Sequence, residues 1–242
     1  KETTAKKKTH PLKTIKILCR NKYFILITLA FAVIYTSLGL TGGSRIYYAK
    51  YVLGDEMLNS TMTMFNYIPT ILTIMLIPVF TKRFGKIKAL FVGFLFYAAG
   101  LVLEIAGPVN LPMIYTGLVL QGIGHAALYS CLFAIVGDVV DYSEWKDGIR
   151  EEGITYSVTS FGQKIGTGLG TAALGWILAA GHYDGTAAVQ SASAIFAIKG
   201  LFLYLPLVIT VIVLIIWYLF MGIDKIYPTV RKELDERREK AE

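Results

Sequence analysis

The chain has 242 residues, of which 55% are hydrophobic and only 17% charged, and it carries a formal net charge of +7. Soluble domains usually carry about 25% charged residues, and several apolar runs here reach the roughly 20 residues that cross a bilayer as a helix. That excludes an ordinary soluble domain. The short alternating segments of about 10 residues that mark a β-barrel do not occur, so the expected fold class is all-α, a polytopic helical membrane protein.

In chain order, residues 1–22 form a polar basic stretch that reads as a cytoplasmic linker, cut within a loop of a longer protein. Six apolar segments follow as predicted spans: 23–43, 60–80, 89–106, 111–136, 153–180 and 201–221. Pro69 and Pro78 are expected to bend the second. The short basic segment TKRFGKIK (81–88) joins the second and third spans as a loop, and a charged loop follows the fourth. Residues 222–242 read as a charged, solvated helical tail. No cleavable signal peptide is evident.

The basic residues lie between the spans, where they set orientation and meet lipid headgroups, so the positive charge does not point to nucleic acid. On alternate sides of the expected spans, lysine and arginine number twenty against three. The positive-inside rule then places both ends of the chain in the cytoplasm. The two cysteines, Cys19 and Cys131, are expected to be reduced and structural.

The stretch from Gly137 to Thr171 carries the chemistry. It opens with Asp138, Asp141, Glu144, Lys146, Asp147, Arg150, Glu151 and Glu152, then enters the fifth span with Lys164 inside it. At 100° per residue, Ser157, Ser160, Thr167 and Thr171 fall within about 60° of Lys164, while Gly162, Gly166 and Gly170 take the opposite side. The glycines have the spacing that lets helices approach closely. A polar stripe with a cation cannot face lipid, so it either lines a water-filled pathway or pairs with acidic partners.

Asp138 and Asp141 sit at a helix C-terminus, where the macrodipole opposes them. They therefore call for cationic partners, with Arg150, Lys146 and the Lys82/Arg83 pair in reach. Such a cluster is either a latch that closes one side of the protein or an ordinary solvated loop. Tyr129 either stacks on a substrate or simply packs in the fourth span. His125 and the nearby Glu104 are further ionisable groups; for His125 a helix–helix hydrogen bond is the expectation and a proton relay the alternative. No phosphate loop, metal-ligand spacing or nucleophile–base pair occurs, so the chain does not read as an enzyme and no metal or cofactor site is expected.

The run DVVDYSEWKDGIREEGITYSVTSFGQKIGTGLG resembles the glycoside–pentoside–hexuronide:cation symporters, the family of melibiose permease within the major facilitator superfamily. The shared pattern is Asp138-Val-Val-Asp141-Tyr-x-Glu144, then Arg150, Tyr156-Ser157-Val158 and Lys164. TKRFGKIK is similar to the superfamily's basic interhelical loop, with Thr81 or Lys82 in place of its usual acidic residue. The resemblance implies the C-terminal six-helix half of a secondary transporter in a bacterial cytoplasmic membrane. Its partners would be a sugar, a coupling cation (Na+ or H+), the lipid bilayer and an N-terminal half that holds most of the cation site.

The resemblance also implies that Lys164 and Ser160 contact sugar, with Gln163 and Thr167 adding polar contacts. Tyr129 falls where melibiose permease has a tryptophan near the sugar. Asp138, Asp141, Glu144 and Arg150 would form a cytoplasmic gate. The competing expectations are a carrier of the same fold for another solute, such as a lysolipid or an organic anion, and a membrane sensor that binds without transport.

Overall fold

The structure, a computed structural model, describes residues 17–18, 20–148 and 150–240. Most of the basic linker expected over 1–22, Cys19 included, lies outside the described residues. Among the described residues every regular element is helical. Helix α1 (Lys22–Tyr51) starts at Asn21, whose side-chain oxygen accepts from the Tyr23 amide at 2.9 Å and whose amide donates to Ser143 Oγ at 2.9 Å. One residue thus caps a helix and ties it to a distant one.

The second expected span is broken. Helix α2 (Leu58–Ile74) and helix α3 (Ile77–Phe84) meet at 56°. The cause is Pro78, which has no amide to offer the Ile74 carbonyl and whose ring would collide with it. Pro69 sits inside α2 without ending it. The basic segment 81–88 is not a loop: α3 runs to Phe84, and helix α4 (Lys86–Ala106) begins two residues later. Gly85 alone makes the connection, at φ 93°.

Helix α5 (Leu111–Asp147) continues eleven residues past the predicted end of the fourth span. The expected charged loop is therefore mostly helix, and the chain turns only at Gly148, left-handed at φ 67°. Helix α6 spans Glu152–Ala180. The last apolar segment starts earlier than expected, as helix α7 (Ala192–Lys199). It passes through a π-helical turn at Gly200–Tyr204 into helix α8 (Leu205–Phe220). Pro206 cannot supply an amide to the Phe202 carbonyl, and the wider turn absorbs that loss.

The tail also differs from the expectation. Helix α9 (Gly222–Glu239) is not freely solvated; Ile223, Val230 and Leu234 are buried. Their spacing puts them on one face, and that face packs into the bundle.

Four helical segments are long and apolar enough to cross a membrane, and the bent pair α2–α3 makes up to five. Helix α6 is long enough but too rich in glycine, serine and threonine, with Lys164 among them, to be counted on composition. Its packing explains how it is held. Gly162, Gly166 and Gly170 face α1, where a methyl at Gly166 would strike the Ala32 carbonyl and one at Gly170 that of Thr36. Burial of the glycine stripe against α1 is what the sequence spacing predicted. The outward surface is strongly apolar: Ile71, Leu72, Met75 and Val79 on α2, α3 and the break between them, and Val211 and Ile215 on α8, are each about half exposed or more. Such a surface suits lipid rather than water.

Candidate functional site

Two regions carry the functional side chains. The first lies on the open face of α6. Ser160 and Lys164 stand one turn apart, and with Tyr156, Ser157 and Phe161 they line a shallow open concavity. Lys164 is exposed and, among the described residues, has no ion-pair partner within 4.0 Å. Phe161 is 64% exposed and Tyr156 38%, so the concavity offers aromatic faces beside a cation and two hydroxyls.

The other expected contact residues stand apart from it. Thr167 is exposed one turn beyond Lys164, with its hydroxyl donating to the Gln163 carbonyl at 3.0 Å. Gln163 is half-buried on the flank of the helix. Tyr129, 45% exposed on α5, lies outside the concavity and packs at a tilt against His125, which in turn packs at a tilt against Tyr97. The expected helix–helix hydrogen bond of His125 is absent among the described residues; aromatic rings take its place.

The second region is the charged end of α5. Asp138 is only 5% exposed and receives both of its short contacts from one lysine, Lys86 Nζ, at 2.7 Å and 2.8 Å. The sequence pointed to Lys82, Arg83, Lys146 or Arg150 instead. Lys82 and Arg83 lie on α3, beyond Gly85, whereas Lys86 is the first residue of α4 and meets α5 directly. Arg150 does pair with Asp141 at 2.9 Å and with Glu144 at 2.6 Å, and it also reaches Glu152. Partial burial works against the charge of Arg150, but hydrogen bonds from Glu144, Asp141 and Glu152 hold its guanidinium pKa above the usual range. Asp138 paired with Lys86, and Asp141 and Glu144 paired with Arg150, thus make two neighbouring charge clusters on a helix end rather than an unstructured loop.

Helix α9 completes that network. Tyr227 donates to Asp141 Oδ2 at 2.9 Å, Trp145 Nε1 donates to Glu233 at 2.7 Å, and Arg238 meets Glu144 at 3.0 Å. Asp224 accepts from the Ile87 and Lys88 amides at 3.1 and 3.3 Å. It caps the first turn of α4, where a carboxylate also complements the helix dipole. None of the α9 residues was singled out in the sequence. The signal available was the buried stripe Ile223, Val230 and Leu234.

Together, the apolar outer surface, a helix with a polar and cationic open face and a charge-paired end define a polytopic helical membrane protein. Comparison with known proteins names the kind. The chain matches the family described as MFS/sugar transport protein over residues 1–225, and it belongs to that family. Its members are transporters, not enzymes.

The isoprimeverose transporter of Lactiplantibacillus pentosus is 31% identical over 98% of this chain and 49% of its own length. A putative 2,3-dihydroxypropane-1-sulfonate exporter of Salmonella typhimurium is 31% identical over 80% of this chain and 42% of its own. A putative glycoside/cation symporter of Escherichia coli is 25% identical over 81% and 43%. The chain spans about half the length of these curated relatives.

Proposed function

We propose that this chain is the C-terminal half of a secondary transporter that moves a sugar with Na+ or H+ by alternating access. The carrying observation is the open face of α6: Lys164, Ser157 and Ser160 beside Tyr156 and Phe161, on a helix held from behind by glycines. A polar, cationic and aromatic strip on a membrane helix is costly unless water and a solute cover it. Aromatic faces stack on pyranose rings, and lysine and serine bond their hydroxyls. In this reading six helices cross the membrane, with both ends of the chain in the cytoplasm of a bacterium. An N-terminal six-helix half faces α6, encloses the sugar and holds most of the cation site. Rocking of the halves about that site carries the solute across.

The network of Asp138, Asp141, Glu144 and Arg150 acts as a latch at the cytoplasmic end. The names of the relatives support the substrate class: one carries isoprimeverose and another is a putative glycoside/cation symporter. A second reading has a specific observation behind it. Lys164, with no ion-pair partner among the described residues, would suit an anionic solute equally well, and one relative is a putative sulfonate exporter.

The test is uptake by the full-length parent in proteoliposomes, with labelled xylosides, galactosides, glucuronides and a sugar sulfonate, under sodium or proton gradients, beside Lys164→Ala. Gradient-driven accumulation of a neutral sugar, lost in the variant, supports the leading reading. Accumulation of the sulfonate alone moves the substrate class to organic anions. Binding without accumulation of any solute would leave a sensor.

A further inference from the structure

A second polar group lies away from the α6 face, between α1, α4 and α5. Glu104 on α4 is fully buried. Its Oε1 accepts from Gln121 Nε2 at 2.7 Å, whereas its Oε2 is buried with no partner among the described residues. Gly117 makes room for it: a Cβ there would lie 2.6 Å from Glu104 Cγ. Arg45 of α1 is the cation whose charge acts on this carboxyl. It lies within electrostatic range of the carboxyl, yet no ion pair within 4.0 Å joins them. Arg45 instead donates through Nη1 to Thr63 Oγ1 at 3.1 Å, and its Nε is also buried without a partner.

An unpaired carboxylate in a membrane interior is expensive, as is a buried guanidinium nitrogen with no acceptor. The two orphans are chemically complementary and stand short of each other. That is the arrangement expected when the carboxyl is neutral and the arginine is parked elsewhere.

We propose that Glu104 is a proton-binding site of the transporter and that Arg45 is its exchange partner. In the arrangement seen here the carboxyl holds the proton and Arg45 rests on Thr63. When Arg45 swings to Oε2, the carboxyl O–H bond breaks, the proton passes to water and an ion pair forms in its place. Tyr67 and Tyr129, which are 48% and 45% exposed, lie within electrostatic range of Arg45. The other titratable groups facing the pair are Tyr48 of α1 and Tyr97 of α4, with His125 of α5 beside Arg45. None of them is a second cation close enough to replace Arg45 at Glu104.

This inference rests on the transport reading and adds to it a proton site in this part of the chain. The test uses the full-length parent. Glu104→Gln mimics the permanently protonated acid, so solute binding and solute exchange should persist while accumulation driven by a proton gradient is lost. Glu104→Asp should restore part of that accumulation. In parallel, the infrared C=O stretch of a protonated carboxyl in the purified protein should be present in wild type and absent in Glu104→Gln. Accumulation by Glu104→Gln with the wild-type pH dependence would overturn the proposal, as would a spectrum unchanged by the substitution. Sodium-only uptake indifferent to pH would remove the proton site and leave the transport reading standing. If no solute moves at all, the transport reading falls, and the infrared band alone decides whether Glu104 binds a proton.

Discussion

Lys86 and Asp138, 52 positions apart, close on each other with Nζ 2.7 Å and 2.8 Å from the two carboxylate oxygens. This contact joins the first residue of α4 to the deepest carboxylate of the charged end of α5. Neutralising either side alone leaves the other charge partly buried and unpaired. Asp138→Asn or Lys86→Gln should cost about 2 kcal/mol, a figure at the modest end because Lys86 is one-third exposed and screened. Thermal unfolding in detergent measures it. A double-mutant cycle with the two together should show that the losses do not add.

If the same network is a latch, Asp138→Asn should also impair or uncouple uptake while solute affinity stays within a few-fold. Unchanged uptake in a folded, destabilised variant would mean that the pair serves stability alone.

Lys164 leads to the opposite expectation. It is exposed and has no ion-pair partner among the described residues, so Lys164→Gln should change stability by no more than about 0.5 kcal/mol. Solute affinity should fall at least tenfold, which is the loss of one charge-assisted hydrogen bond. A ligand-binding titration on a variant with wild-type melting behaviour separates the two effects. Wild-type affinity would remove Lys164 from the solute site.

The packing of α6 on α1 makes a steric prediction. Gly170 faces the backbone of α1 so closely that a methyl would meet the Thr36 carbonyl. Gly170→Ala should cost about 1–3 kcal/mol by forcing the helices apart, whereas Gly168→Ala, where a methyl meets nothing within 4 Å, should be neutral. Equal effects at the two positions would contradict the close approach.

Asp224 ties the tail to α4. Asp224→Ala removes a cap from the Ile87 and Lys88 amides and should cost about 1 kcal/mol. Hydrogen exchange should accelerate in the first turn of α4 and in α9 together. Faster exchange in α9 alone would mean that the cap does not support α4.

Much of this protein is legible in its residue order. Long apolar runs leave few alternatives to membrane helices, because the bilayer offers the backbone no water to bond. The alternation of glycines and polar residues along α6 likewise told which side would pack and which would stay open. Periodicity is a local property, and a helix obeys it wherever it is placed. The end of α5 was legible too, though missed: no breaker lies between Gly137 and Gly148, and Asp138, Asp141 and Glu144 recur at helical spacing, so the helix runs on.

Partners in space were a different matter. Which cation meets Asp138 depends on where α4 begins relative to α5, and the single residue Gly85 sets that, leaving Lys82 and Arg83 on the far side of the turn. The return of α9 onto α5 depends on Tyr227, Glu233 and Arg238 meeting Asp141, Trp145 and Glu144 together. The orphaned Glu104 is a fact about three helices at once. Sequence spacing determines the face a residue occupies on its own helix; only the packing of that helix against others decides whether a charge there is paired, solvated or left to hold a proton.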